Sequence, residues 1–173
     1  MVEGATRLII LDTNALITFL ENDQDSNEYN NLLRALSSLL GESIALPMPV
    51  VAEFIAGDQN DERTFDLVKP NSKFKKLDFD TKSALIAARV YKEYRALLKN
   101  NTPSQRPNQK VKIDIQIIGI ALANGAKFIA TRDKEIKRII ENLELPLTVL
   151  DFGDDSYYEQ MTGKVLTESH TIQ

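Results

Sequence analysis

The chain has 173 residues, a formal net charge of −4, no cysteine and a single histidine. That length suits one domain with a substantial core. The absence of cysteine excludes disulfides, zinc–thiolate centres and cysteine nucleophiles, and the mild acidity argues against nonspecific nucleic-acid binding by the whole surface. No basic–apolar–small leader pattern and no bilayer-length apolar run is visible, so a cytoplasmic protein with no membrane contact is expected.

The elements follow in chain order. Leu8 to Leu11 is a continuous apolar run, as in a strand buried on both faces. Asp12 ends it and Ala15 to Leu20 starts a helix, so Asp12 reads either as a cap for that helix or as a functional acid. Asn31 to Leu40 reads as a helix with a leucine face, stopped by Gly41. Ile44 to Leu46 is a second strand ended by Pro47. Pro49 suits the first turn of a short apolar helix over Val50 to Ala56. Glu53 lies within that helix, where it needs either water or a partner. Asp58 to Lys69 is polar and reads as a surface helix, and Phe74 to Phe79 as an extended stretch. Asp80 and Thr81 then cap a long helix from Lys82 to Lys99.

Asn100 to Lys110 is a loop by composition, with two prolines and no large apolar residue. Asp114 follows, directly before a helix that is apolar nearly all round and is therefore buried on most sides. Gly125 stands where a left-handed C-cap is wanted. Ala126 to Thr131 reads as a strand, with Asp133 just past its end. Glu135 to Leu143 is a helix broken by Pro146, and Leu147 to Leu150 a last strand. The alternation predicts an α/β fold, a parallel sheet flanked by helices in three layers. Residues 1–152 would form the domain and 153–173 a short acidic extension containing Tyr157 and Tyr158. His170 stands near the terminus and is not read as a ligand.

Four acids thus stand in comparable places, Asp12, Glu53, Asp114 and Asp133, all able to share one sheet edge. Clustered carboxylates repel unless a cation holds them, and an all-oxygen donor set favours Mg²⁺ or Mn²⁺ over zinc. Such ions commonly serve phosphoryl transfer. The region from Lys99 to Arg138 carries nine basic residues against three acidic ones. It reads as a surface for a polyanion or as solvated helix faces. Within it, Lys110, Lys112, Arg132 and Lys134 flank the acids and are candidate phosphate contacts. A Rossmann dehydrogenase is disfavoured because no G-x-G-x-x-G follows the first strand. A haloacid dehalogenase-type phosphatase is disfavoured because Asn14, not Asp, stands two residues after Asp12.

The segments LIILDTNAL, PVVAEFIAG and KIDIQIIGIALANGAKFIATRD, in that order, resemble the PIN-domain family over about Leu8 to Phe152. The resemblance implies a three-layer α/β/α fold and a metal-dependent endoribonuclease. Asp12, Glu53, Asp114 and Asp133 would bind Mg²⁺ or Mn²⁺, with Thr13 and Thr131 in support. A metal-activated water would leave a 5′-phosphate and a 3′-hydroxyl. Many members resemble VapC-type toxins, which form homodimers and are inhibited by a cognate antitoxin, so RNA, an antitoxin and a second copy are the expected partners. Two features depart from the compact toxin pattern: the longer proline-containing loop before Asp114 and the acidic region after Asp151. Asp154, Asp155 and Glu159 of that region could compete in cis for the basic stretch. The alternative is a PIN-like module that binds RNA or protein without cleaving.

Overall fold

The computed structural model describes residues 8–39, 41–101 and 109–155. His170, Tyr157, Tyr158, Glu159 and most of the proline-containing loop lie outside the described residues. Five strands, β1 (Leu8–Leu11), β2 (Ser43–Pro47), β3 (Lys75–Leu77), β4 (Phe128–Ala130) and β5 (Thr148–Leu150), form one all-parallel sheet in the order β3-β2-β1-β4-β5. All four residues of β1 are buried, so helices cover both faces of the sheet centre, as its unbroken apolar run requires.

Seven helices connect and flank the strands among the described residues: α1 (Thr13–Glu21), α2 (Asn27–Ser37), α3 (Met48–Gly57), α4 (Asp61–Val68), α5 (Thr81–Asn101), α6 (Gln109–Ala123) and α7 (Lys134–Asn142). From β1 the chain steps outward to β2 and β3, then returns to the other side of β1 for β4 and β5. The strand order therefore reverses between β1 and β4. In open parallel sheets the crevice at the carboxyl ends of such a pair is where ligands bind.

The core helix is α6. Ile115, Ile117, Ile118, Gly119, Ile120, Ala121 and Ala123 are all buried, as a helix apolar on every side requires. It lies close against α5 at Gly119, where a Cβ would come within 2.7 Å of the Ala87 Cβ and 2.9 Å of the Ser83 carbonyl oxygen. Only glycine allows that approach. Gly125 closes the helix in the left-handed region, at φ +68°, as expected of a C-cap.

Several boundaries differ from the sequence expectation. Asp114 does not begin its helix: α6 starts at Gln109, so the acid sits on the second turn. The polar, exposed residues Gln109, Lys110 and Lys112 hid that first turn, because they surround its one buried apolar residue, Val111, and break the apolar pattern. Helix α2 starts at Asn27, capped by the Ser26 hydroxyl, and ends at Ser37. Asn100 and Asn101, expected in the loop, belong to α5. Helix α7 runs from Lys134 to Asn142, one residue earlier at each end than expected, and the left-handed Glu144 (φ +48°) follows its Leu143 cap.

Candidate metal centre

Each functional side chain is placed by an element end. Asp12 follows β1, and its amide still donates to the Ala130 carbonyl at 3.2 Å, extending the β1–β4 ladder by one bond. It is also the N-cap of α1: Oδ1 accepts from the Ala15 amide at 2.7 Å. Its Oδ2 accepts from the hydroxyl of Thr131, which is fully buried just past β4. The same hydroxyl oxygen accepts from the Asp133 amide at 2.9 Å. One threonine thus ties the acids that follow two adjacent strands.

Asp133 caps α7, with Oδ1 accepting from the Glu135 amide at 2.8 Å. Its Oδ2 accepts from the Lys110 ammonium at 2.6 Å. Glu53 projects from α3 and is exposed, so the cost of burial that its apolar neighbours suggested does not arise. Its Oε2 accepts from the Thr13 hydroxyl at 2.5 Å. Asp114 approaches from the side of α6 and is 5% exposed, and its Oδ2 is buried without a hydrogen-bond partner. A buried carboxylate oxygen left so is costly unless something else satisfies it.

All four acids line one pocket of about 350 Å³, together with Thr13, Asn14 and Lys110. Burial, opposed by the Thr131 and Ala15 hydrogen bonds, raises Asp12 to about 6. Burial, then the charge of Asp133, raises Asp114 to about 7. Asp133 goes the other way. Burial pushes it up, but the Lys110 hydrogen bond and charge and its cap hydrogen bonds pull it below the usual carboxylate range.

The donors suit a hard divalent ion. They are carboxylate and hydroxyl oxygens, no histidine among the described residues lines the pocket and the chain has no cysteine, and the buried Oδ2 of Asp114 has no hydrogen-bond partner. Among the described residues no three acids stand close enough to form a ready-made ion cage.

Of the four candidate phosphate contacts only Lys110 lines the pocket. Arg132 pairs with Glu28 on α2, and Lys112 and Lys134 are exposed on their helices. Asp155 accepts from the Asn31 side-chain amide at 2.6 Å, so its recorded partner is α2 and not the basic stretch. Sequence reasoning missed Arg63, which reaches the pocket wall from α4 and is held by Asp58. Nothing short of the tertiary arrangement brings α4 to that wall.

The chain matches the PIN domain over residues 9–142 and belongs to that family. Solved structures with the same fold include a DNA-bound VapBC from Salmonella typhimurium, 20% identical, with TM-score 0.54 over 83% of this chain and 96% of that one. VapBC-1 from nontypeable Haemophilus influenzae is 21% identical, with TM-score 0.58 over 85% and 99%. A toxin–antitoxin complex from Klebsiella pneumoniae is 16% identical, with TM-score 0.51 over 72% and 86%. At these identities the likeness is one of fold. No curated protein matches the chain by sequence.

Proposed function

We propose that this chain is a Mg²⁺- or Mn²⁺-dependent endoribonuclease and the toxin of a toxin–antitoxin pair. Residues 1–152 would be its nuclease domain and 153–173 an acidic extension. The observation that carries the reading is the buried, unpartnered oxygen of Asp114 in a pocket shared with Asp12, Glu53 and Asp133, at the crevice where the strand order reverses. Membership of the PIN family supports nuclease chemistry. The fold shared with VapBC structures supports a cognate antitoxin as partner. A homodimer acting in the cytoplasm completes the reading; no helix among the described residues is long and apolar enough to cross a membrane.

In this mechanism Asp12 and Asp114 would be the principal ligands, with Asp133 and Glu53 completing the site or holding waters. A bound divalent ion would supply Lewis acidity toward the phosphodiester and would acidify water. The chain's own groups do the positioning. Thr131 holds Asp12 and the start of α7 in fixed relation, and Thr13 orients Glu53. Because Asp12 is locked by two hydrogen bonds, little ordering remains to be done when its charge is used. Lys110 is placed to meet a phosphate at the pocket rim, with Lys112, Arg132 and Lys134 further out.

The test is incubation of labelled RNA with Mn²⁺, with and without EDTA, using the wild type and Asp114→Asn. Cleavage that needs the ion, leaves 5′-phosphate ends and falls by about a hundredfold or more in the variant is expected, since removal of one ligand or electrostatic group at such a centre costs that much. The same variant should be more stable without metal, by on the order of 1–3 kcal/mol, because a buried charge under repulsion is removed. RNA that is bound and left intact by the wild type would return the chain to the non-cleaving alternative.

A further inference from the structure

Lys110 lies four residues before Asp114 on α6, one turn along the same face. Its ammonium donates to Asp133 Oδ2 at 2.6 Å, and its charge also acts on Asp114 and Glu53. The other oxygen of Asp133 already accepts from the Glu135 amide. Lys110 therefore covers the oxygen that Asp133 has left to offer an ion. The two sides of this pair are unlike: the lysine side chain is 66% exposed and the aspartate 10%. The cation can swing into water on its own stem, whereas the carboxylate is fixed by its cap. An ordinary surface ion pair would join two solvated chains; this one joins an exposed cation to a nearly buried acid in a pocket of acids.

We propose that Lys110 is a built-in placeholder cation, which neutralises the acidic pocket before a divalent ion arrives and is displaced from Asp133 when the ion loads. Displacement leaves the ammonium at the rim of the same pocket, where an RNA phosphate would meet it. Loading of the ion and readiness for the substrate are then coupled through one side chain. This inference rests on the divalent-ion reading of the site.

The experiment has two arms. In the first, Mn²⁺ binding is measured by calorimetry for the wild type, Lys110→Met and Lys134→Met, the last removing an exposed charge beside Asp133 that does not line the acidic pocket. Lys110→Met should bind Mn²⁺ about threefold or more tightly than the wild type, on the scale of exposed ion pairs, and Lys134→Met should change less. In the second arm, the wild type is treated with an amine-acylating reagent, and modification at each lysine is followed by mass spectrometry. Saturating Mn²⁺ should speed acylation of Lys110 about threefold, again the scale of a released surface pair, and leave Lys134 unchanged.

Mn²⁺ binding with no change in Lys110 acylation would overturn the proposal, as would equal or weaker binding by a folded Lys110→Met. If Lys110→Met fails to fold, the acylation arm on the wild type decides. If calorimetry detects no Mn²⁺ binding to the wild type, the divalent-ion reading itself fails and the placeholder role falls with it.

Discussion

Thr131 joins two of the four acids through one hydroxyl. Its hydroxyl donates to Asp12 and accepts from the Asp133 amide. Thr131→Val keeps the shape and removes both bonds in a fully buried position. It should cost about 1–3 kcal/mol of stability, the scale for leaving buried polar groups unpaired. Affinity for Mn²⁺ should fall about tenfold, as when an orienting partner of a ligand is lost. Denaturant melts and calorimetry check the two effects, and Thr131→Ser should restore most of both. At this scale the sequence singled out four acids that the fold brings to one pocket, but not their bonds. Asp12 could be read as a cap or as a functional acid, and it serves as a cap while facing the pocket. Asp133 likewise caps α7, which its place after a strand did not reveal. Asp58, Arg63 and Glu21 also line the pocket and had no local signal, because their relation to the acids exists only through the fold.

Among the elements, α6 is the one on which the site's depth depends. It carries Asp114 into the crevice from the side, and its seat against α5 is set by the missing side chain at Gly119. Gly119→Ala gains a little helix propensity, but its new methyl group would meet Ala87 and the Ser83 backbone. Overpacking should win, with a net loss of about 1–3 kcal/mol in a urea melt and weaker Mn²⁺ binding as α6 shifts. Equal stability would show that the two helices have slack. The helix itself was legible from its apolar residues and from Gly125. Its first turn was not, because Gln109, Lys110 and Lys112 face water and carry no periodic signal. A similar cause put the start of α2 too late: Asn27, Glu28 and Asn30 are polar around a single buried Tyr29, and the Ser26 cap marks the true beginning.

For the molecule as a whole, the alternation of short apolar strands with helices made a parallel α/β sheet readable. The order β3-β2-β1-β4-β5 was not readable, because it is decided by pairings between distant segments. That order brings the acids together, and their crowding has a measurable consequence for the metal-free protein. Asp12 is raised to about 6 and Asp114 to about 7. An acid whose folded pKa exceeds its unfolded value holds its proton longer in the fold. Between about pH 4 and pH 7 the unfolded state then binds fewer protons, and stability falls as pH rises through that window. Asp58, Asp80 and Asp133 are depressed and act in the opposite sense, but only below about pH 4, where their unfolded forms titrate. Thermal melts in EDTA should therefore decline from about pH 5 to pH 7.5 and level off above, once both groups are ionised. Saturating Mn²⁺ or Asp114→Asn should flatten the decline, and a melting point that climbed over this range would contradict the assignment.

Two of the four acids hold the first turns of helices, and Glu53 and Asp114 do not. Asp12 anchors α1 and Asp133 anchors α7, while Asp114 stands inside a helix with an oxygen bonded to nothing. Should a descendant of this chain have no use for the proposed chemistry, drift would strike these positions unequally. Asp114 could be replaced with relief to the fold, whereas the capping pair would be retained for folding alone. Surviving aspartates after the strands would then be poor witnesses to enzymatic descent, and the residue on the buried helix would be the telling one.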